Sequence, residues 1–554
     1  MDESIQNEEQ AKCDIRDFGR LKAERAPWEN TFRAIDERFP SGAGGFVQKS
    51  PGGIRGGANF DSTHITALAR FAAAGVAITT PEEKLYIRPR FADPALNRLR
   101  DVQLWCEEAG RRLYDIRHAP HTGFSVSANE DWDQLGRYGT SPVWSEARDG
   151  VRGVRRGGLF YRCLHLSSTY IDIDYSGIVN LCVRYMVKTA DQLEDQFGRE
   201  ALTPKMIEAL DDKKGTTEFE VIHWIGPNRD YDAEPMDWRR FPVASRYLAL
   251  GEKLYVRRRG FHSMPISVSR HVTSAGEKYG RSPGIHMLPN IEGANAMRRT
   301  TLRAGHKAVD PALVFNDDNG ITKIATKPGG LTAGLMDENG RILVGRMPGG
   351  EAALPYARED LNDEREIIRT EFLEDFYKIL TDPNSRMTTT EVLEVMAKQG
   401  ILVRPFAGRY AMEKQYPMTN RDLELALDAG QIAPLPPAVV EAGAWPIIDY
   451  ENELAAMARA QETSKTMRFN EVLTGLANAS KDGAILDWLN EDAMVPGMAE
   501  EIGVRPSYVR SPQEVQAIRA ARQQQQQMTE QSQAALQNAQ AYAAMAKGNQ
   551  LAAA

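Results

Sequence analysis

Three stretches carry residue types and spacings that could do chemistry. Gly280-Arg281-Ser282-Pro283-Gly284 fits G-x-S-x-G, which in hydrolases holds a serine on a strained strand-to-helix turn, its hydroxyl free to attack an acyl carbon. The stretch before it, Val272-Thr273-Ser274-Ala275-Gly276-Glu277-Lys278, is polar where a buried strand is needed, so a helix-entry turn is expected and esterase chemistry is rejected. Asp172-Ile173-Asp174-Tyr175-Ser176-Gly177 begins like a calcium loop, but Val183 stands where that loop needs a bidentate glutamate, and strand-like runs flank it. A β turn is the better reading. The nine histidines form no His-Glu-x-x-His pair, and Pro120 breaks the helix that would align His118 with His121.

Other chemistries are no better placed. The glycine-rich runs at 41–45 and 51–57 could cradle a phosphate, but no buried strand precedes them and no Lys-Ser/Thr closes them, so a surface loop is expected. Cys13, Cys106, Cys163 and Cys182 include no Cys-x-x-Cys pair, which argues against zinc and disulfides and suits a reducing cytoplasm. P-loop, Rossmann and kinase patterns are missing. No catalytic residue, cofactor or metal is therefore expected, and the balance tilts toward a structural or interaction role.

With 554 residues, 42% hydrophobic and 26% charged, the chain has room for several domains and a large core. A net charge of -8 weighs against a conventional nucleic-acid gripping domain, which concentrates Lys and Arg, but not against a protein that DNA slides past. Apolar runs fall short of the ~18 residues of a membrane span, and Met1-Asp2-Glu3 begins no signal peptide, so a soluble, unexported protein is expected.

The elements are organised around 281–399. A first helix runs from about Ser282 through Leu288, Ile291, Ala294 and Leu302, with Pro289 and Gly293 as bends and Arg299, Arg303 and Lys307 as a basic stripe. Short strand-like runs follow, with Asn319-Gly320, Pro328-Gly329-Gly330, Asn339-Gly340 and Pro348-Gly349-Gly350 as turns. They are too short for a core of their own, so packing against copies of themselves is expected.

A second helix is read over 356–380. At ~100° per residue, Asp360, Asp363, Glu364, Glu371, Glu374 and Asp375 fall within about 120° of arc, opposite Leu361, Ile368, Phe372, Phe376 and Ile379. It ends at Thr381-Asp382-Pro383. A polar loop over 381–387, with Asp382, Pro383, Asn384, Ser385 and Arg386, leads to the capping box Thr388-Thr389-Thr390-Glu391 of a third helix.

Around this centre, the N-terminal part opens helical (Leu21, Trp28, Phe32, Ile35, Phe39), and Asp61-Ser62-Thr63 caps a second helix. Helices are expected at 101–117 and 127–138, with Trp105, Leu113, Trp132 and Leu135 as core. Strands are expected from 141 to 187, at 218–225 and at 255–261, and short helices at 192–197 and 203–210. Residues 402–430 read as mixed, 434–437 as a rigid connector, and 451–476 and 484–489 as helices. Ser511-Pro512-Gln513-Glu514 starts a last helix, whose glutamine-rich end is expected to fray.

The order of these segments resembles one family. Asp61-Ser62-Thr63 before an Ala-rich helix, Tyr279-Gly280-Arg281-Ser282-Pro283-Gly284 before Leu288-Pro289-Asn290-Ile291, Met387-Thr388-Thr389-Thr390-Glu391-Val392, and Arg404-Pro405-Phe406 look like the head-to-tail connector, or portal, proteins of short-tailed (podovirus-type) bacteriophages. The resemblance implies an α+β portal fold assembled as a ring, usually of twelve subunits, at one capsid vertex of the virion. It implies a wing at 1–280, stem helices at 281–308 and 356–380, a clip at 309–355, and a tunnel loop at 381–387. The tunnel helix and a return through the wing would be 388–500, and the crown helix with its glutamine-rich tail 501–554. The implied partners are other copies of the chain, double-stranded DNA in the channel, large terminase, tail adaptors, and capsid and scaffold proteins, with synthesis in the host cytoplasm and no membrane.

Geometry agrees with the resemblance. Twelve helices at the usual 8 to 10 Å spacing make a ring about 35 Å across between axes, leaving roughly 25 Å open once a helix diameter is subtracted, enough for a duplex. An acidic lining would repel phosphates and keep DNA from sticking. Two other classes stay open: a multidomain cytosolic enzyme with no motif-visible site, and a capsid or scaffold shell protein.

Overall fold

The computed structural model describes residues 3–40, 45–47, 58–148, 158–234, 236–310, 312–315, 324–325, 336, 339, 341–342, 344–346, 354–374, 407–450, 468–469, 471–476, 490–502, 504 and 508–552. The chain is mixed α+β and divides into two compact units, Met1–Lys84 with Leu113–Gln431, and Leu85–Arg112 with Ile432–Ala554.

The first unit holds two antiparallel sheets. The larger runs in the order Thr169–Ile173, Val179–Thr189, Glu218–Pro227, Val243–Ala249, Leu254–Phe261. The smaller places Thr140–Arg148 between Gly158–Cys163 and Ile266–Arg270. The first hairpin turns at 174–178, where the Asp174 carboxylate accepts from the amides of Ser176 and Ile178, and Gly177 supplies a φ of 82°. This is the expected β turn. Asp172, the other half of the calcium-like motif, is bound instead by Arg20 and Lys278.

Two of these strands are absent from the sequence reading. Val243–Ala249 carries Arg246, and Ile266–Arg270 carries Ser267, Ser269 and Arg270, all buried, so neither shows apolar alternation. Tertiary partners make their burial tolerable. Arg246 donates to both carboxylate oxygens of Asp14 at 2.8 Å, from the N-terminal helix Glu3–Arg38.

The principal core joins helices to the sheets. Phe32, Ile35 and Phe39 from Glu3–Arg38, Leu68 and Phe71 from Thr63–Thr79, and Trp132, Leu135 and Tyr138 from Phe124–Tyr138 pack with Trp144 and Val268 from the smaller sheet. Gly75 lets two helices close: a Cβ there would overlap the Trp132 indole. Trp105 and Leu113 are buried as expected.

The first central helix is split. A short turn, Pro283–His286, precedes Leu288–Val309, with the break at Met287. Pro289 lies in the first turn of the longer helix, where its missing amide costs nothing, so it starts the helix and does not bend it. Beyond it, Leu313–Phe315 pairs antiparallel with Val344–Arg346, and Met336 bridges Ile342. These described strand pieces pair with each other within the chain.

The second unit has a two-stranded sheet, Ile87–Arg90 with Ile447–Tyr450. Pro437 opens the short helix Pro437–Glu441, at the end of the expected rigid connector. Ser511 and Glu514 cap the last helix reciprocally: the Ser511 amide donates to Glu514 at 2.9 Å, and the Glu514 amide to the Ser511 hydroxyl at 3.3 Å. That helix continues through the glutamine run to Ala552, where a frayed end was expected; Ala, Gln and Met are strong helix formers and outweigh the low complexity.

Candidate channel helix and its anchors

The helix carrying the acidic face runs Leu354–Glu371. Leu361 and Ile368, and then Phe372, are fully buried in the principal core, with the Phe372 ring 6.3 Å from Phe39 and 6.1 Å from Phe71. It is interrupted at Phe372-Leu373, where Phe372 turns inward and Leu373 takes a left-handed φ of 58°; residues 375–380 of the expected helix lie outside the described residues. Asp375, Phe376, Ile379, the loop residues Asp382, Pro383, Asn384, Ser385 and Arg386, and the third helix lie outside the described residues.

The acidic residues separate into two groups. Asp360 and Asp363 are exposed, and so is Glu371, whose carboxylate lies 3.6 Å from His286 Nδ1. Glu364 is half-buried and accepts from Asn290 Nδ2 at 2.9 Å, which ties this helix to Leu288–Val309. Glu374 is 4% exposed and turns inward to Arg70, with Arg369 at 3.8 Å. On the neighbouring helix Arg299, Arg303 and Lys307 are exposed, the Arg299 guanidinium 5.6 Å from the Phe60 ring.

A second anchor was not foreseen. The Asp61 carboxylate, nearly fully buried, caps Thr63–Thr79 by accepting from the Thr63 amide at 2.9 Å; its other oxygen accepts from Arg365 Nε at 2.8 Å and Nη2 at 2.6 Å. Asn295 joins them, accepting from the Phe60 amide at 2.6 Å and donating to the Ala58 carbonyl at 3.0 Å. Burial alone would raise the Asp61 pKa, but the Thr63 hydrogen bonds and Arg365 outweigh it and hold the carboxyl below its ordinary value. Asp61-Ser62-Thr63 was legible as a helix cap; its second partner, far along the chain, was not.

The chain re-enters the described structure at 407. A single π turn, Ala411–Gln415, leads into Tyr416–Asp428 and buries Glu413, Lys414 and Gln415 together. Arg270 Nη2 meets Glu413 at 2.6 Å; Lys414 Nζ meets Asp131 at 3.0 Å and the Ser267 carbonyl at 3.1 Å; Arg117 Nη2 meets Asp422 at 2.6 Å. Tyr410 also donates to Asp131, at 3.0 Å, and Tyr161 to Asp422, at 2.7 Å. Burial pushes the Lys414 pKa down and the Asp422 pKa up, and the opposite charges act against both shifts. With each charge matched, the segment is keyed into the sheets by position.

The catalytic-looking motif has no free nucleophile. The Ser282 hydroxyl is buried, donates to the Arg137 carbonyl at 2.7 Å and accepts from the Ile285 amide at 2.9 Å, as a helix-entry turn requires. Among the described residues no group of His, Cys, Asp or Glu is arranged to hold a metal, and no helix is long and apolar enough to cross a membrane.

The mixed α+β body anchors a long helix by its inner face and leaves carboxylates outward. The sequence family described as "Bacteriophage head to tail connecting protein" matches residues 14–509, and the chain belongs to it. At that level it is a head-to-tail connector, or portal, protein of a bacteriophage. It is 26% identical over 523 residues to the "Probable portal protein" of Bordetella phage BPP-1, covering 93% of this chain and 91% of the relative. It is 24% identical over 444 residues to the "Portal protein" of Salmonella phage epsilon15, covering 78% and 76%. A solved chain titled "Neck of empty GTA particle computed with C6 symmetry" aligns at 12% identity and a TM-score of 0.36, covering 72% of this chain and 84% of that one.

Proposed function

We propose that the chain assembles, as about twelve copies, into a ring at one capsid vertex, with helix Leu354–Glu371 facing a channel through which DNA is packed and later leaves. The observation that carries this reading is the division of that helix into two faces. Leu361 and Ile368 are locked into the core, Arg365 is tied to Asp61, and Asp360 and Asp363 stay exposed. Around a ring the exposed carboxylates repeat as acidic tiers, which repel phosphates and leave no binding minimum in which DNA would stall.

In this reading residues 381–387 project into the channel, with Arg386 as a sparse ring of positive charge. Residues 309–355 face terminase during packaging and tail adaptor afterwards, and 501–554 form the crown. Negative-stain images and the native mass of the purified protein test it. Closed rings near twelve times 61.7 kDa are expected; a monomer-to-tetramer distribution at virion-like ionic strength would overturn it.

A further inference from the structure

We propose that Arg162, Arg184 and Lys188 form a receptor for an oxyanion, a phosphate or carboxylate group supplied from outside the chain. Arg162 lies opposite Trp144 in the smaller sheet, and Arg184 opposite His223 in the larger. The Trp144 ring bridges the two sheets, 5.2 Å from His223 and 5.7 Å from the Arg184 guanidinium. Lys188 follows Arg184 by four residues on the same strand, and so on the same face.

The three cations have almost no counter-charge beside them. Glu146 is already held, by Arg259 at 3.1 Å and by the Trp144 indole at 3.1 Å. Glu130 feels Arg162 only at longer range. Among the described residues none of the three cations makes an ion pair; Lys188 donates to Gln196, and Arg184 Nε is shut off from solvent with no acceptor. Burial and mutual repulsion accordingly push Arg184 and Lys188 below their ordinary pKa values.

Cations crowded at a partly buried site are costly. An arriving oxyanion offsets that repulsion. It would accept from the Arg184 Nη groups and lie within the field of Arg162 and Lys188, the chemistry arginine suits best. Two sources share this chemistry: a free phosphate, and an acidic side chain of an adjacent copy. The second rests on the ring proposed above and fits a chain of net charge -8.

The test uses the full-length protein with Arg162→Gln and Lys188→Gln, both at positions with solvent access, and Arg184→Gln as a third variant. Inorganic phosphate is titrated against chloride at matched ionic strength, followed by calorimetry and thermal unfolding. Wild type is expected to bind phosphate and melt later, and each variant to bind about tenfold or more weakly. Without phosphate, Arg162→Gln and Lys188→Gln are expected to melt no earlier than wild type, since a repulsion is removed; earlier melting would indicate a structural role and overturn the proposal.

Native mass measurement of assembly separates the sources. Loss of rings in the variants, with phosphate competing against assembly of wild type, assigns the site to a neighbour's carboxylate. Intact rings in variants that have lost phosphate binding assign it to a free anion. Variants that bind phosphate and assemble as wild type does would overturn the receptor. If wild type forms no rings, the ring reading fails by itself and the phosphate titration still decides the site.

Discussion

Replacing Arg365 with Met should loosen helix Leu354–Glu371 while leaving the rest of the first unit folded. The side chain lies on the exposed flank of Leu354–Glu371 and reaches Asp61 through two hydrogen bonds, at 2.8 and 2.6 Å, to one carboxylate oxygen. Removing one partner of a fully buried pair costs about 3–5 kcal/mol; Arg365 is 27% exposed, so about 2 kcal/mol is the expected cost here. Asp61→Asn breaks the same contact from the other side, and the double variant should show a coupling of about 1–2 kcal/mol in a cycle followed by urea unfolding. If the loss is local, amide exchange across 361–371 should quicken by about thirtyfold, with little change in the five-stranded sheet. The pH dependence provides a second check. Asp61 titrates below its ordinary 3.8 in the folded chain, so its contribution is complete above that pH and is lost as pH falls through the lower folded value. A coupling below about 0.5 kcal/mol at neutral pH, or one that persists unchanged far below pH 3.8, would refute the anchoring argument.

Gly75→Ala is expected to cost about 1–3 kcal/mol, measured by urea unfolding, because the new methyl meets the Trp132 ring. His118 and His271 are both held near 4 by burial, His118 also by Arg117, against an ordinary 6.5. Their folded values lie below the unfolded one, so stability should be complete above pH 6.5 and fall between 6.5 and 4; His271→Gln should flatten that slope in urea midpoints taken across the range. Asp360→Lys with Asp363→Lys changes two exposed positions, so stability should move by less than about 0.5 kcal/mol each, while packaging assays should show slower DNA passage. In the same assays Arg386→Ala should assemble normally and alter packaging or retention; full-length genomes packaged and retained at wild-type rates would leave 381–387 a connector only.

Where local chemistry decides, the sequence was enough. The spacing of Leu361, Ile368 and Phe372 marked the buried face of helix Leu354–Glu371, Ser511 and Glu514 the start of the last helix, and Asp174 with Gly177 a hairpin turn. The polar run before Ser282 pointed to the helix-entry turn that Ser282 caps. These signals depend on neighbours within a turn or two, which any reading of periodicity and capping can reach. The order of segments along the chain carried the family resemblance.

Tertiary structure decided what depends on partners far away in sequence. Val243–Ala249, Ile266–Arg270 and the π turn Ala411–Gln415 read poorly because they bury Arg246, Arg270, Glu413 and Lys414. Their counter-charges, Asp14 for Arg246 and Asp131 for Lys414, stand hundreds of positions away, and no local pattern reveals that such charges can be buried. The same holds for the acidic face. On a helical wheel Asp360 and Glu364 share the acidic face, yet Asn290 takes Glu364 and Asp360 remains exposed, while Glu374, past the break at Leu373, turns in to Arg70. Periodicity sets the direction in which a side chain leaves its helix; which charge waits there is settled only when distant segments pack together.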